Sequence, residues 1–160
     1  DYLPVPSVGA AGAAVTLCCV FRNGSAISGG FRFPVSLSNV EFGLFGDPAY
    51  TDVSVVTTSA QIGVGFDAAD VLTTDAAHVL AVRFDGVDPV SPSSYRMWLD
   101  GVEQTVSASG PFGGALESRL GTRSVFFFDG LLPAVLVYDN AVDPADVALV
   151  NNYLMNRYGL

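Results

Sequence analysis

Apolar and polar positions alternate along most of this chain, or fall into short apolar runs separated by turn residues. The strongest run, AVTLCCVF at residues 14–21, predicts a buried strand, and Asp100-Gly101 between two further runs predicts a hairpin. Strands that recur about every 8–12 residues with such turns are typical of a sandwich or a barrel. The predicted strands span residues 14–21, 31–35, 40–45, 53–58, 60–66, 78–84, 95–99, 102–107, 116–120, 124–128 and 131–138, with an acidic loop at 67–77 and a glycine-rich loop at 108–114.

The pattern changes near the end of the chain, where one helix is predicted over residues 143–158. Asp143 is placed to cap the first turn, Pro144 suits the first helical position, and Gly159 is a natural stop. Positions that recur with a period of about 3.6 residues form one apolar stripe. The stripe consists of Val147, Val150, Leu154 and Tyr158. We expect it to dock on the edge of the sandwich.

The bulk composition indicates one well-buried globular domain. The chain has 160 residues, of which 50% are hydrophobic and 14% are charged. Residues 1–12 are rich in proline, glycine and alanine and are predicted to form an extended arm, which leaves residues 13–160 for the domain. No apolar run approaches the roughly 20 residues that a membrane-spanning helix needs, so membrane insertion is not expected.

The charge of the chain argues against nucleic acid as a partner. The formal net charge is −9, all seven cationic side chains are arginine, and they form no basic patch. Nucleic-acid binding depends on patches that neutralise phosphates. An acidic surface instead favours solubility and could hold cations loosely.

Cys18 and Cys19 are the only cysteines, and they are neighbours. Adjacent residues on a strand point to opposite faces, so a disulfide between them is not expected. Neither has a partner at metal-ligand spacing. We interpret them as small buried hydrophobic side chains, which fits assembly in a reducing cytoplasm better than a classical secretory route.

Four segments carry a family resemblance. They are HVLAVRFDG at 78–86, SYRMWLDGVEQ at 94–104, the closing stretch at 128–160, and the opening DYLPVP at 1–6. In order and spacing they resemble the concanavalin A-like lectin/glucanase superfamily, in its laminin G-like branch. The resemblance implies an all-β fold, a two-sheet antiparallel jelly-roll sandwich with one C-terminal α-helix. Members usually carry a further strand before the equivalent of DYLPVP, which pairs with the closing strand. We therefore expect residue 1 to be an internal point of a larger polypeptide.

Catalysis is not predicted. Glucanases of this superfamily place acids at alternate strand positions, as Glu-x-Asp-x-Glu, so that an acid and a nucleophile face one sugar. Glu41, Glu103 and Glu117 are the only glutamates, and none has an acid two residues away. His78 is the only histidine, and the chain contains no Gly-x-Ser-x-Gly elbow.

Calcium is the only cofactor that the resemblance suggests. Laminin G-like domains often hold this ion with aspartate side chains and loop carbonyls, which suit a hard cation. Asp47, Asp52, Asp67 and Asp70 are the candidate ligands. The alternative is that these acids are simply solvated.

Aromatic side chains are the candidates for stacking on sugars. Alternation in the strand at 95–99 places Tyr95, Met97 and Leu99 on one face, and Arg96 and Trp98 on the other. If the first set is core, Trp98 and Arg96 face outward and could bind a glycan or a partner, together with Tyr50 and Phe127. The alternative for Trp98 is packing under the helix or under a neighbouring subunit.

Two functional hypotheses follow. The first is a lectin-like module that binds glycans or a cell-surface receptor and forms the C-terminal part of a larger extracellular or phage virion protein. The second is a structural module that decorates or cements a capsid or tail through contacts with neighbouring virion proteins, with oligomers as one form. In the second, the arm at residues 1–12 would dock on a neighbour rather than fold back.

Overall fold

The computed structural model describes residues 3–4, 9–10, 12–24, 30–46, 52–57, 62–68, 76–111, 119–123 and 126–160. The strands in chain order are β1 Leu3–Pro4, β2 Val15–Asn23, β3 Gly30–Ser36, β4 Glu41–Gly46, β5 Asp52–Val56, β6 Ile62–Asp67, β7 Ala77–Phe84, β8 Tyr95–Leu99, β9 Val102–Gln104, β10 Ser107–Pro111, β11 Arg119–Leu120, β12 Thr122–Arg123, β13 Phe126–Phe127 and β14 Gly130–Tyr138. One 3₁₀ turn spans Pro92–Ser94, and helix α1 spans Pro144–Tyr158.

The strands form two antiparallel sheets that pack face to face. The seven-stranded sheet has the order β1-β11-β3-β4-β5-β6-β10, and the five-stranded sheet has the order β14-β2-β7-β8-β9. β12 and β13 form a separate ribbon. This arrangement confirms the predicted two-sheet antiparallel sandwich with one C-terminal helix. No described strand pairs with the outer edge of β14. Nor is any helix in the described ranges long and apolar enough to cross a membrane.

The largest difference from the predicted elements lies at residues 102–111. The strand predicted at 102–107 is split, because the chain leaves the five-stranded sheet after Gln104 and joins the seven-stranded sheet at Ser107. The glycine-rich loop predicted at 108–114 therefore begins as strand β10, whose Pro111 lies at the sheet edge, where a residue without an N–H is tolerated. Most of the predicted acidic loop at 67–77 lies outside the described residues.

Two apolar clusters flank the five-stranded sheet. The larger lies between the two sheets, where the rings of Phe21 and Phe42 meet edge to face at 5.2 Å. The smaller lies between the five-stranded sheet and α1. Cys19 belongs to the first cluster and Cys18 to the second, and both are free thiols. The interpretation of the two cysteines as buried, unbonded side chains on opposite faces is confirmed.

Helix α1 has the predicted caps and bounds. The Asp143 carboxylate accepts a hydrogen bond from the Ala145 N–H at 2.9 Å, and Gly159 ends the helix in the left-handed conformation, with φ 70°. Val147 and Leu154 of the predicted stripe are buried, and Val150 and Tyr158 pack against the same cluster.

The predicted position of α1 on the edge of the sandwich is wrong. The helix contacts β2 and β7, two of the three inner strands of the five-stranded sheet, and so covers the outer face of that sheet. The physical reason is that these strands turn apolar side chains to both faces, and the outer set needs a cover. That set consists of Cys18, Val20, Val79 and Ala81.

Polar contacts hold the two ends of the helix segment to the sheet. The Thr16 hydroxyl donates to the Asn140 carbonyl at 2.9 Å and accepts from the Val142 N–H at 3.0 Å. Arg83 Nε donates to the Val142 carbonyl at 3.0 Å. At the far end, the Tyr158 hydroxyl donates to the Pro133 carbonyl at 3.2 Å.

The described parts of the predicted arm lie against the sandwich. Leu3 and Pro4 pair with Leu120 and Arg119 at the edge of the seven-stranded sheet. The Gly12 N–H donates to the Thr57 carbonyl at 2.7 Å. The described parts of the arm thus fold back onto their own chain. The hypothesis of a structural module expects the arm to dock on a neighbouring molecule instead.

Candidate functional site

Trp98 lies on the outer face of the five-stranded sheet, opposite Tyr95, Met97 and Leu99, as strand alternation predicts. Its side chain packs in the cluster under α1 and is only 7% exposed. The Arg96 guanidinium stands over the ring, 5.2 Å from its centroid. These neighbours leave almost no ring surface on which a sugar could stack. The structure thus places Trp98 in the packing role that the sequence offered as the alternative.

Arg96 forms a bidentate ion pair with Glu103 on the neighbouring strand. Nε donates to Oε1 at 2.7 Å, and Nη2 donates to Oε2 at 2.6 Å. The hydrogen bond from Arg96 holds the pKa of Glu103 below its usual value, so this carboxyl stays ionised. Both side chains are half-exposed, and solvent-exposed pairs contribute about 0–1 kcal/mol to stability. Both functional groups of the pair are thus already committed to each other.

The outer face of the seven-stranded sheet has a different character. β4 turns Phe42 and Leu44 into the core, and β5 turns Val53 and Val55 the same way. The alternate positions face outward, and the strand register aligns them in rows across the sheet. One row contains Arg119, Ser36, Glu41 and Val56, and the next contains Gly43, Ser54, Gly65 and Ser107. A third row contains Phe31, Phe45, Asp52 and Asp67. Polar and small residues therefore dominate the first two rows, whereas the third combines two phenylalanine positions with two aspartates.

Glu41 is the most unusual member of this face. It is 1% exposed although it does not point into the apolar core, and its Oε2 accepts a hydrogen bond from the Ser36 hydroxyl at 2.7 Å. Ser36 and Ser54 are buried as well. A buried carboxylate is costly unless neighbours supply hydrogen bonds or charge. The rows thus hold a set of polar groups in fixed positions.

Gly65 is required by the close approach of two backbones. A Cβ atom at this position would collide with the carbonyl oxygen of Val53 on the adjacent strand. Only glycine fits where backbone comes this near. A larger residue at position 65 would push β5 and β6 apart in the middle of the polar face.

Two of the four predicted calcium ligands come together. Asp52 and Asp67 are direct partners in the register of β5 and β6, and Asp67 is exposed. Like charges directly opposite each other destabilise a sheet, which a bound cation would relieve. Asp47 and Asp70 lie outside the described residues. Within the described ranges, no group of three or more His, Cys, Asp or Glu side chains is arranged to hold a metal. Calcium binding therefore stays a prediction.

For the two remaining predicted binding residues, Tyr50 and Phe127, the structure does not describe the side chains. Tyr50 lies outside the described residues. Phe127 belongs to β13, where its register partner is Thr122, but the structure does not describe its side chain. Of the predicted glycan contacts, Arg96 and Trp98 are the two whose side chains the structure describes, and it brings them together.

A histidine–aspartate contact was not predicted. His78 Nδ1 lies 2.8 Å from Asp100 Oδ2, while Asp100 Oδ1 accepts from the Val79 N–H at 2.8 Å. Asp100 sits in the hairpin turn with φ 51°, as an Asp-Gly turn favours. His78 is 5% exposed, and its Nε2 has no hydrogen-bond partner among the described residues. The contact locks the hairpin to β7, and a buried imidazole of this kind is out of reach of a substrate.

No protein-family model matches this sequence, and no curated protein matches it. Solved structures with similar folds include a heptameric SAP-like pentraxin from Limulus polyphemus, with TM-score 0.56 and 11% identity over 94% of this chain and 75% of that one. The CBM40 of the Ruminococcus gnavus IT-sialidase, bound to α2,3-sialyllactose, has TM-score 0.56 and 10% identity over 87% and 82%.

A third similar structure is domain 4 of AbnA, an extracellular GH43 arabinanase from Geobacillus stearothermophilus, in complex with arabinotriose. Its TM-score is 0.55 and its identity 21%, over 94% of this chain and 71% of that one. All three are jelly-roll sandwiches of the concanavalin A-like type. At these identities the likeness is one of fold, and it confirms the predicted architecture.

Proposed function

We propose that this chain is a non-catalytic glycan-binding module whose binding surface is the outer face of the seven-stranded sheet. The observation that carries the proposal is a pair of rows of mostly polar and small residues across the strands of that face. The first row includes Arg119, Ser36 and Glu41, and the second includes Gly43, Ser54, Gly65 and Ser107. The equivalent face of the five-stranded sheet is apolar and lies under α1. Only the outer face of the seven-stranded sheet therefore carries polar positions in rows that α1 does not cover.

The chemistry of sugars suits such an array. Adjacent hydroxyls on a pyranose or furanose ring each donate and accept, so they need several fixed partners close together. Asp67 and Ser107 are exposed on this face, whereas Ser36, Glu41 and Ser54 are closed off from solvent beneath it. The buried polar side chains make the binding surface rigid, and the exposed side chains supply the contacts to the sugar. The fold shared with two domains solved in complex with oligosaccharides supports this assignment.

A binding role is favoured over hydrolysis by the positions of the glutamates. Retaining hydrolysis needs two carboxyl groups about 5–5.5 Å apart. Glu41 lies on the outer face of the seven-stranded sheet, and Glu103 lies in the five-stranded sheet, bound to Arg96. The lowered pKa of Glu103 makes it a poor general acid. Glu117 lies outside the described residues.

As its biological setting, the proposal includes a place in a larger extracellular or phage virion protein, where the module would attach that protein to glycans or to a cell-surface receptor. The family resemblance of the closing segment supports this setting. Calcium at Asp52 and Asp67 is part of the same proposal, because these positions border the polar face.

A glycan array followed by calorimetric titration of the best-bound glycan tests the proposal. We expect Asp67→Asn to weaken binding about tenfold, since a hydrogen bond to a charged group contributes about 1.5–3 kcal/mol. Glu103→Gln is the matched control on the other sheet and should leave affinity unchanged. Absence of binding to a broad panel, both with calcium and with EDTA, would refute the proposed function.

The second candidate is a structural module that decorates a virion. Exposed apolar side chains favour it, since Leu149 and Tyr153 on the helix are 66% and 57% exposed and Leu131 on β14 is 58% exposed. Light scattering of the purified chain tests it. A concentration-dependent oligomer that Leu149→Ser and Tyr153→Ser together abolish would favour this candidate, and a monomer at all concentrations would count against it.

A further inference from the structure

The chain has few cations that could hold an anionic ligand. It contains seven arginines and no lysine, and the structure describes every arginine side chain except that of Arg123. Arg96 is bound bidentately by Glu103, and Arg83 donates to the Val142 carbonyl. Arg22, Arg32 and Arg119 are also engaged in interactions. Recognition of a carboxylate or sulfate group usually relies on such side chains in a free, bidentate geometry.

Arg157 is the most available of the described cations, but it is in the wrong place. It is exposed on α1, where Nη1 lies 3.4 Å from the Tyr153 hydroxyl. Helix α1 covers the outer face of the five-stranded sheet, on the opposite side of the sandwich from the polar rows. A glycan on those rows would therefore not reach Arg157.

The polar face itself is acidic. Its outward positions include three acids: Asp67 is exposed, Glu41 is only 1% exposed, and Asp52 occupies the register position opposite Asp67. Arg119 is the arginine that the register places on this face, and Glu41, Asp67 and Arg119 all take part in interactions. The whole chain carries a formal charge of −9. An anionic glycan would meet repulsion both at contact and at longer range.

We infer that this face selects neutral glycans and excludes those that carry carboxylate or sulfate groups. The inference rests on the proposed function and adds the chemical class of its ligand. The hydroxyls of a neutral sugar need only hydrogen-bond partners, and a carboxylate accepts from them readily. A sialylated glycan needs a cation, and Arg119, the arginine that the register places on this face among the described residues, is already engaged. The chain would thus differ in ligand charge from the similar domain solved with sialyllactose.

An array of matched pairs tests the inference, each pair a neutral glycan and its sialylated or sulfated counterpart. We expect signals from neutral members, with the anionic member of a bound pair about tenfold weaker at about 10 mM salt and the gap narrowing towards 150 mM as charges are screened. Equal or stronger binding of anionic members would overturn the inference and leave the proposed function standing. No binding to any glycan would overturn both.

Reversing one charge on the polar face tests whether an anionic glycan is repelled by that face or by the net charge of the whole chain. We expect Asp67→Lys to raise the affinity for an anionic member, relative to its neutral partner, several-fold. Asp139→Lys makes the same change in net charge at an exposed position after β14, on the other sheet, and should raise that ratio much less. Equal effects of the two variants would show that the face itself does not select, and would overturn the inference. Circular dichroism of both variants confirms that they are folded.

Discussion

The two faces of the five-stranded sheet are both apolar, but they are covered in different ways. One packs on the other sheet and forms the large core with Phe21, Phe42 and Phe84. The other lies under a single helix and forms a small cluster with Trp98, Val147 and Leu154. Consecutive residues of β2 lie alternately in the large core and in the small cluster, since neighbouring side chains on a strand point to opposite faces.

The difference lies in how many independent elements close each cluster. The large core is closed by strands from most of the chain, so no single element can leave it without breaking a sheet. The small cluster is closed by α1, which is tied by contacts at its two ends. At the middle of its buried side lies Asn151, whose amide oxygen and nitrogen have no hydrogen-bond partner among the described residues. We infer that the helix can open without unfolding of the sandwich.

Leucine truncation in the two clusters should give the largest contrast. Leu44 and Leu154 are both buried, the first in the core and the second under the helix. We expect Leu44→Ala to lower the free energy of unfolding by about 4 kcal/mol and Leu154→Ala by about 2 kcal/mol, because a helix can settle into the space that a sheet cannot fill. Urea denaturation measures both values. Equal losses would show that α1 is held as rigidly as the sheets.

The two cysteines provide built-in probes of the same contrast. Burial raises the pKa of the Cys18 thiol to about 12, and it raises that of Cys19 still further, so neither reacts as a thiolate until it is exposed. We compare Cys19→Ala, which leaves the thiol under the helix, with Cys18→Ala, which leaves the thiol in the core. Modification by a thiol reagent at pH 8 should be at least about tenfold faster for Cys18, a difference of about 1.4 kcal/mol in the free energy of opening.

Stability curves for both variants serve as the control for this measurement, so that a difference in global unfolding is not mistaken for helix opening. Similar modification rates that follow global stability would contradict a separable helix. Fluorescence of Trp98, the only tryptophan, offers a second signal, since the ring lies in the same cluster as Cys18.

Much of this architecture follows from local rules in the sequence. Asp143, Pro144 and Gly159 define the helix because capping depends on neighbours within one turn. Strand alternation likewise separates Trp98 and Arg96 from Tyr95, Met97 and Leu99 without knowledge of any partner strand.

The rest depends on contacts between residues far apart in the chain. Nothing near Val147 indicates whether its stripe meets an edge or a face of the sandwich, because that depends on the outward side chains of β2 and β7. The polar face was missed for a similar reason, since its rows join residues of several strands through register alone. Contact between His78 and Asp100 spans two strands and a turn. The one usable signal for the polar face was the recurrence of serine and glycine between apolar positions in β3–β6.

The smallest effect concerns the buried amide at the centre of the helix interface. A buried polar group without a partner costs about 1–3 kcal/mol, so we expect Asn151→Leu, which keeps the side chain close in size, to raise the free energy of unfolding by about 1 kcal/mol. Asn152→Leu is the matched control, because the next residue is exposed and surface changes usually stay within about 0.5 kcal/mol. If α1 is separable, Asn151→Leu should also slow the modification of Cys18 more than that of Cys19. Loss of stability in Asn151→Leu would instead mean that the amide is satisfied in solution, by a buried water, and that the helix is held more firmly than its apolar contacts imply.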